Sequence, residues 1–538
     1  MVWVPFHLSD LLKKKEEIVL FSSVAIALYG YDQGMMSLIN TNFHYLKTMG
    51  IGPEDPLVGI IVSVYYLGCT LGAVLASWFS DAKGRKPGIF ACLATASLGN
   101  LLMFIAGLGF KKGGLELMLI GRIVMGLGVG GIDAVVPIYS AELASDHSRG
   151  KALAKEFQAN IFGLNMAFII NVCLTHALGK WNQWAWRLPI IIMQVYPFLM
   201  FAVAYRLPET PRWYVLRGRP DAAKRSLDDV FGPERGSEIL DQIISAHEEE
   251  EKKGQIGYID MLNPSHAQFH PTCVVVMGQI NQALTGYGAV SVYGPQIFEL
   301  LGFGVAKAEF ITLGNYIFYF IMMTLAWILI DRLGRRRLMI YGAGILSISF
   351  GLLAVLGGLA YNQPKLHIDT LGPAIPGVII LYFATITFGI AWLVPPWLIP
   401  TEIYPSTARA QGSAISVIIW GLANFAVTLL TPIGFNNLNY MLFLVFAVTN
   451  GFAAWWTDWY CPESGGRSFE ENQEFFEEAR KKKGSWRVMK VKGGRWLDMP
   501  DRKDGGGAGE NGHHGDAQVD GYGDENGETR PLLAQDQR

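Results

Sequence analysis

A short charged element occurs twice in this chain, each time between two long apolar runs. The first copy reads Asp-Ala-Lys-Gly-Arg-Lys at Asp81–Lys86, and the second reads Asp-Arg-Leu-Gly-Arg-Arg at Asp331–Arg336. A Glu followed seven residues later by an Arg also occurs twice, as Glu142 with Arg149 and as Glu402 with Arg409. Elements that repeat in the same order after about 250 to 260 residues indicate an internal duplication. In a membrane protein, an internal duplication is typical of secondary transporters.

Apolar runs of membrane-spanning length fill most of the sequence. The 538 residues are 51% hydrophobic and only 17% charged, whereas ordinary soluble domains are roughly 25% charged. An α-helix needs about 20 apolar residues to cross ~30 Å of hydrocarbon. Runs of suitable length lie near residues 18–39, 57–79, 88–108, 116–140, 153–177, 187–206, 271–298, 308–330, 338–360, 374–400, 410–431 and 439–461. We therefore expect an all-α integral membrane protein with about twelve transmembrane helices in two six-helix halves.

Changes in composition divide the chain into five parts. A short N-terminus (1–17) precedes the first bundle (18–206), a polar linker (207–268) precedes the second bundle (269–461), and a tail follows (462–538). The tail is rich in Gly, Asp, Asn and Glu from about residue 501, and we expect it to be largely disordered there. Most Lys and Arg residues of the short loops fall on one side of the membrane. This bias predicts that both termini and the linker face the cytoplasm.

Several other classes of protein are excluded by the sequence. The net charge of -2 gives no support for a nucleic-acid partner. The five cysteines are scattered, mostly within apolar runs, and show neither metal-ligand spacing nor a disulfide framework. Gly126–Gly131 lies inside an apolar span rather than after a strand, so we interpret it as small residues that let helices pack closely, not as a nucleotide loop. Without a catalytic triad, phosphate loop or metal cluster, an enzyme is not expected.

Further motifs stand at spacings that point to a known family. They are Gly121-Arg122 at the start of the fourth span, Pro137–Glu142 at its end, Pro208–Arg212 after the sixth span, and Pro462–Arg467 after the twelfth. With the repeated charged element, they resemble the sugar porter branch of the major facilitator superfamily over roughly residues 17–475. Gly30–Gly34 in the first span looks most like fungal proton-coupled sugar and polyol carriers. The resemblance implies the major facilitator fold and no cofactor, with a proton as the coupling ion.

Charged residues at the ends of the spans form a predicted gating network at the cytoplasmic boundary. Carboxylates and guanidiniums at such a low-dielectric boundary are favourable when paired and costly when unpaired. The resemblance implies that the network forms in one conformer only and latches the outward-facing state. Its members are Asp81, Arg85, Glu142, Arg149, Glu209 and Arg212 in the first half and Asp331, Arg335, Glu402, Arg409 and Glu463 in the second. The alternative is that these charges only fix the topology.

A carboxylate within the first span is the candidate proton carrier. Asp32 lies inside an apolar run, where an ionisable residue is expensive and is usually paired or functional. The resemblance supplies Arg122 as its partner and implies that protonation of Asp32 loosens this pair during the transport cycle. The alternative is a static structural ion pair. Asp133 is a second acid within the membrane, to which the resemblance assigns no role.

The predicted solute site keeps part of the family pattern and departs from the rest. Gln282 and Tyr293 match in the seventh span, but Ala283 and Gly288 replace an amide pair that normally binds sugar hydroxyls. Trp397 in the tenth span matches a tryptophan that stacks on sugar rings, whereas Gly389 replaces a polar residue. Gln158 and Asn424, with Trp420 nearby, complete the candidate set. Because unpaired buried polar groups cost ~1–3 kcal/mol, these losses favour a polyol or a less polar solute over an ordinary hexose.

We predict a proton symporter that moves a small hydroxylated solute, a sugar or related polyol, inward by alternating access. The alternatives are a facilitator or exporter of another small metabolite, such as a quinate-like acid or a secondary metabolite, and a sugar sensor that signals through its tail. The plasma membrane is the expected location and the vacuolar membrane the alternative. Glu528–Leu533 matches an acidic dileucine pattern, so a sorting adaptor is a possible partner besides the solute and the bilayer.

Overall fold

The computed structural model describes residues 14–52, 55–109, 113–143, 149–253, 256–362, 371–465, 472 and 475–476. The N-terminal segment before residue 14, Arg467 and the tail from residue 477, with the sorting pattern Glu528–Leu533, lie outside the described residues. The side chain of Arg149 also lies outside them.

Eight helices are described in the first half of the chain. They are α1 (Lys14–Ile39), α2 (Phe43–Met49), α3 (Pro56–Lys83), α4 (Arg85–Ile105), α5 (Gly114–Leu143), α6 (Arg149–Leu178), α7 (Gln183–Ile192) and α8 (Val195–Ala204). The linker then forms the shorter helices α9 (Pro211–Leu216), α10 (Pro220–Phe231), α11 (Pro233–Lys253) and α12 (Tyr258–Leu262).

The second half has more interruptions within its helices. It contains α13 (Phe269–Leu284), α14 (Tyr287–Leu300), α15 (Val305–Met322), α16 (Thr324–Leu333), α17 (Arg335–Tyr361), α18 (Leu371–Phe388), a π-helical segment (Gly389–Leu393), α19 (Pro395–Ile403), α20 (Ser406–Leu438) and α21 (Met441–Tyr460). Each of the twelve predicted apolar runs is therefore a helix or a broken helix, which confirms the all-α membrane fold.

Eight of these spans are long and apolar enough, within the described residues, to cross a membrane by length and composition alone. The pair α15–α16, bent by 46°, would be a ninth. The other three predicted spans are α1, the broken pair α13–α14, and α21. Polar residues such as Asp32 in α1 and Asn450 in α21 lower the hydropathy of these segments, and polar residues inside spans are usually functional.

The repeated charged element ends one helix and starts the next in both halves. Gly84 separates α3 from α4 at φ 115°, and Gly334 separates α16 from α17 at φ 85°. Only glycine adopts such angles without strain, so the glycine of each repeat makes the sharp turn possible. The linker contacts the first repeat, since Arg217 donates to the Asp81 carbonyl, and it also contacts the second half, since Ile256 N donates to Thr407 O. We call this end of the bundle the motif end and the opposite end the far end.

Small residues bring α3, α4 and α5 into close contact. A Cβ added at Gly126 would lie 3.0 Å from the Gly68 Cα, and one added at Gly99 would lie 2.5 Å from the Met125 Cα. Side chains at these positions would push the helices apart, and glycine allows backbones to approach closely in lipid. The interpretation of Gly126–Gly131 as a packing segment is confirmed.

Each half has its own apolar core, and both cores take residues from the other half. The core of the first half includes Tyr293 and Trp420 from the second half. The core of the second half includes Ala154, Phe157 and Ile161 from α6. The two halves therefore meet along α6 on one side and along α20 on the other.

Candidate functional site

A buried ion pair joins α1 to α5. The Arg122 guanidinium lies 2.5 Å from Asp32 Oδ1, and both residues are only 1% exposed. Taking two charges out of water is costly, and removing one partner of such a pair leaves an uncompensated buried charge. The pairing that the sequence suggested is thus present, while its part in proton coupling remains a prediction.

Arg122 also connects this pair to α3. Its Nε donates to the Ile61 carbonyl at 3.2 Å, and its Nη2 donates to the Val62 carbonyl at 3.2 Å. The guanidinium lies 4.6 Å from the ring centroid of Tyr65, a favourable cation–π distance. One side chain therefore holds three helices, but only its contact with Asp32 depends on the charge of a titratable group.

Five aromatic rings from both halves form an inter-half aromatic cluster, composed of Tyr29, Tyr66, Phe157, Trp397 and Trp420. The Trp420 ring centroid lies 5.4 Å from that of Tyr29, 5.6 Å from Tyr66 and 5.5 Å from Trp397. The Phe157 and Trp397 centroids are 5.9 Å apart. These separations are typical of favourable ring contacts. The cluster thus joins α1, α3 and α6 of the first half to α19 and α20 of the second.

Gln282 binds the π-helical segment of the tenth span. Its Nε2 donates to the Trp392 carbonyl at 2.8 Å and to the Leu393 carbonyl at 3.0 Å. A π-helical turn often marks a functional site, and here the amide of α13 pairs with its free carbonyls. Gln282 Oε1 is buried without a hydrogen-bond partner among the described atoms, so this oxygen could accept a bond from a solute hydroxyl.

Asn424 and Gly288 face one another between α20 and α14. Asn424 Nδ2 donates to the Trp420 carbonyl at 2.9 Å. A Cβ added at Gly288 would lie 3.6 Å from Asn424 Oδ1 and would meet no other atom within 4 Å. The missing asparagine of the family pattern therefore leaves open space beside the Asn424 amide. At Gly389, by contrast, the Tyr319 ring occupies the position that a side chain would need.

The remaining two predicted solute residues make contacts near this region. Tyr293 Oη donates to the Thr428 carbonyl at 3.4 Å, and Tyr293 has non-helical angles (φ −119°, ψ 27°) at a kink in α14. Gln158 Nε2 donates to the Phe320 carbonyl at 3.2 Å and to Thr324 Oγ1 at 3.3 Å. Gln158 thus bridges α6 to α15 and α16, and its neighbour Phe157 contacts the Trp397 ring.

The gating residues of the first half surround the start of α4. Arg85 contacts Asp81 and lies 3.6 Å from Glu142. The Glu209 carboxylate accepts the backbone N–H of Arg85 at 3.1 Å and that of Lys86 at 3.0 Å. Burial raises the pKa of Glu209, although these amides act in the opposite direction. Glu209 caps the N-terminus of α4, where free N–H groups favour an anion.

The second half repeats this arrangement at the start of α17. Arg335 lies 3.3 Å from Asp331 and 2.7 Å from Glu402. Glu463 accepts the backbone N–H groups of Arg335 and Arg336, both at 3.0 Å. The duplicated sequence motifs therefore correspond to one duplicated structural unit, a charged turn capped by a distant glutamate.

The last predicted gating residues belong to the first turns of three helices. Arg212 belongs to α9, three residues after Glu209. Arg409 lies in the first turn of α20, and the side chain of Arg149 lies outside the described part of the chain. The described ion pairs of Arg85 and Arg335 are each formed within one half. A latch between the halves at the motif end therefore remains a prediction.

Several site residues were not identified from the sequence. Tyr29, Tyr66 and Phe157 join the aromatic cluster, and Gln279 donates to Ser416 Oγ at 2.7 Å and to the Pro396 carbonyl at 3.1 Å. The chain has 21 Tyr and 30 Phe, so nothing in the pattern marks which rings meet across the halves. Gln279 carries a weak signal, because it lies one helical turn before Gln282 within an apolar run.

Comparisons with known proteins relate the chain to transporters. The family model described as "Sugar (and other) transporter" matches residues 18–476. The MFS-type transporter oryC of Aspergillus oryzae is 27% identical, over 84% of this chain and 83% of its own length. High-affinity glucose transporter 1 of Candida albicans is 28% identical, over 86% of this chain and 85% of its own. The D-xylose-proton symporter of Escherichia coli is 26% identical, over 86% and 96%.

A solved structure shares the fold over nearly its whole length. The proton:xylose symporter XylE, bound to 6-bromo-6-deoxy-D-glucose, aligns with a TM-score of 0.72 at 24% identity and covers 86% of this chain and 99% of its own. This match shows the major facilitator fold. Since the family model spans most of the sequence, the protein is a multi-pass membrane protein and not an enzyme. The chain belongs to the Sugar (and other) transporter family.

Proposed function

We propose that the protein is a secondary active transporter that couples the movement of a sugar or a related polyol to protons. The observation that carries the proposal is the buried Asp32–Arg122 pair, because Asp32 is a titratable group whose charge ties two spans together. The names of two relatives, a glucose transporter and a xylose-proton symporter, support a sugar-like solute and a coupling proton.

Protonation of Asp32 would release α1 from α5. The neutral carboxyl no longer attracts the guanidinium, while Arg122 keeps its bonds to the Ile61 and Val62 carbonyls. Arg122 therefore stays with α3, and α1 is the element set free. Coupling through Asp32 thus requires no movement of Arg122 itself.

The inter-half aromatic cluster would carry this change to the other half. Tyr29 precedes Asp32 by three residues, so the two side chains lie on the same face of α1. The Tyr29 ring contacts Trp420 of α20. A shift of α1 therefore changes the contact between Tyr29 and Trp420. Alternating access requires contacts between the halves that form in one conformation and break in the other.

The same region offers the chemistry to bind a partly hydroxylated ring. The indole rings of Trp397 and Trp420 provide apolar faces, and Gln282 Oε1 and Asn424 Oδ1 provide acceptors. Gly288 leaves space rather than a donor beside Asn424, and the Tyr319 ring fills the space at Gly389. We therefore propose a polyol or a solute with fewer hydroxyls than a hexose.

The orientation and the location are part of the proposal. The bias of Lys and Arg toward the motif end supports a cytoplasmic position for this end, the linker and both termini. We propose the plasma membrane as the location, with the vacuolar membrane as the alternative. Recruitment of a sorting adaptor by Glu528–Leu533 likewise remains a prediction.

The proposal is tested by recording internal pH in proteoliposomes that contain the purified protein. Hexoses, pentoses, polyols and cyclic acids are added outside one at a time. We expect acidification with one class of solute and its loss in Asp32→Asn, because Asn keeps the shape of Asp but cannot be protonated. Asp133→Asn is the matched control, since it removes another acid within the membrane.

Each other outcome changes a different part of the proposal. Entry of the solute without acidification would make the protein a facilitator. Acidification that persists in Asp32→Asn would leave the ion pair with a structural role only. No response to any solute would favour an exporter of another metabolite or a sensor.

A further inference from the structure

An ion pair joins the two halves at the far end of the bundle, away from the gating residues predicted from the sequence. Lys180 Nζ, just after α6, lies 2.6 Å from Glu309 Oε1. Glu309 is near the start of α15, in the second half of the chain. His176 Nε2, in the last turn of α6, lies 3.4 Å from Glu309 Oε2. The Glu309 side chain is 1% exposed, against 20% for Lys180. A buried carboxylate is costly unless it is paired with a cation, and here both of the basic side chains come from the other half.

Lys180 is held in place by the first half before it reaches Glu309. Its carbonyl accepts the His44 N–H of α2 at 3.2 Å. The neighbouring Trp181 ring lies 5.2 Å from the Phe43 ring, also in α2. A partner that is already positioned loses little conformational freedom when the pair forms. The first half therefore fixes the backbone from which the Lys180 side chain reaches the second half.

The pair closes the end of a seam between α6 and α15. Asn165 Nδ2 of α6 donates to the Tyr316 carbonyl at 2.9 Å, and the Phe168 and Tyr316 rings meet edge to face at 5.0 Å. The buried side chains of this seam are Leu38, Leu164, Phe168, Val172 and Tyr316, with Leu313 packed against them. These contacts must part if the halves are to separate at the far end.

We propose that Lys180, His176 and Glu309 form a far-end latch that holds the α6–α15 seam closed and must break whenever the carrier opens at this end. Lys180 makes the shorter contact with Glu309, at 2.6 Å, and the His176 ring adds a second contact at 3.4 Å. The Phe310 ring stacks on His176 at 5.0 Å, and Glu299 of α14 is the other carboxylate that interacts with this group. The latch does not depend on the nature of the solute or on proton coupling.

Thiol labelling of the purified protein tests the latch directly. A Leu313→Cys reporter lies in the seam, and Cys173→Ser removes the exposed cysteine of α6. Lys180→Gln is expected to raise the labelling rate of the reporter by a maleimide about tenfold, because it removes the permanent charge of a partly buried pair. Lys307→Gln is the matched control, because Lys307 is an exposed lysine near the start of α15, two residues before Glu309. This variant should leave the labelling rate unchanged.

A charge reversal separates the latch from simple damage to the seam. Lys180→Glu combined with Glu309→Lys restores an attractive pair, so the reporter should again be labelled slowly. Either of two results would overturn the proposal. One is a reporter in Lys180→Gln that is labelled no faster than in the parent protein. The other is a reporter in the charge-reversed pair that is labelled as fast as in Lys180→Gln. If Glu309→Lys does not fold, Lys180→Gln and Lys180→Arg decide the case. Lys180→Gln removes the positive charge and must speed labelling of the reporter, whereas Lys180→Arg keeps the charge and must not.

Discussion

Arg122 shows how a single buried charge can organise three helices. Its guanidinium contacts Asp32 of α1, two carbonyls of α3 and the Tyr65 ring, while its own backbone belongs to α5. Each nitrogen donates to a different helix or carbonyl, which a lysine with its single point charge would not reproduce. Asp32, in contrast, has Arg122 as the one ion-pair partner that the described structure gives it.

This difference between the partners predicts unequal effects on stability. Arg122→Gln leaves the Asp32 carboxylate buried without a cation and should destabilise the protein by about 3–5 kcal/mol at neutral pH. Because a protonated carboxyl is neutral, the loss should shrink as the pH falls. Thermal unfolding of the purified variant at several pH values measures both effects.

The double variant provides the control for this prediction. Asp32→Asn combined with Arg122→Gln removes both charges, so it should recover most of the stability lost in Arg122→Gln. A double variant that unfolds at the same temperature as Arg122→Gln would contradict the electrostatic explanation and indicate that lost packing around Tyr65 causes the change.

Two helices of the bundle are capped by glutamates that lie more than a hundred residues away in sequence. α4 and α17 begin directly after a glycine with positive φ, so neither helix has a side chain at its N-cap. Glu209 and Glu463 supply the missing acceptors. The Pro-Glu motif after each bundle is thereby explained as the partner of the charged turn, which ties the end of each half to its second and third spans.

Removal of either cap should destabilise the helix that it caps. Glu463→Ala is expected to cost about 1–2 kcal/mol, and more than Glu209→Ala, because Glu463 is buried whereas Glu209 is only partly buried. Hydrogen exchange of the first amides of α4 and α17 reports the local effect. Glu234→Ala, in the exposed first turn of α11, is the control, and equal exchange in all three variants would contradict the role of the caps.

The sequence predicted the spans well but not the breaks within them. Apolar runs of about 20 residues are set by the thickness of the bilayer, so all twelve could be recognised from composition. The break between α13 and α14 and the π segment at Gly389–Leu393 could not. Gln282, near the end of α13, binds the Trp392 and Leu393 carbonyls of the π segment, and such a long-range contact leaves no periodic signal.

At the scale of the whole molecule, the halves communicate through contacts that hydrophobic periodicity cannot reveal. Periodicity shows which face of a helix is apolar, but not which other helix covers it. Trp397 and Trp420 were recognisable as tryptophans of the solute region, whereas their contacts with Phe157, Tyr29 and Tyr66 appear only in the folded chain. The far-end latch has the same origin, since Lys180 and Glu309 lie 2.6 Å apart but belong to different halves.

Trp420 is the residue through which the proton site and the solute site should be coupled. Its ring contacts Tyr29, one turn from Asp32, and it also contacts Trp397 on the solute side. Trp420→Ala breaks this connection without touching the ion pair, so protons and solute should no longer move in a fixed ratio. Simultaneous measurement of internal pH and labelled solute in proteoliposomes gives this ratio. Trp78→Ala, at an exposed tryptophan of α3, should keep it. Trp420→Ala could instead lower both fluxes equally and preserve their ratio. The aromatic cluster would then bind the solute without coupling it to protons, and other residues would have to connect Asp32 to the second half.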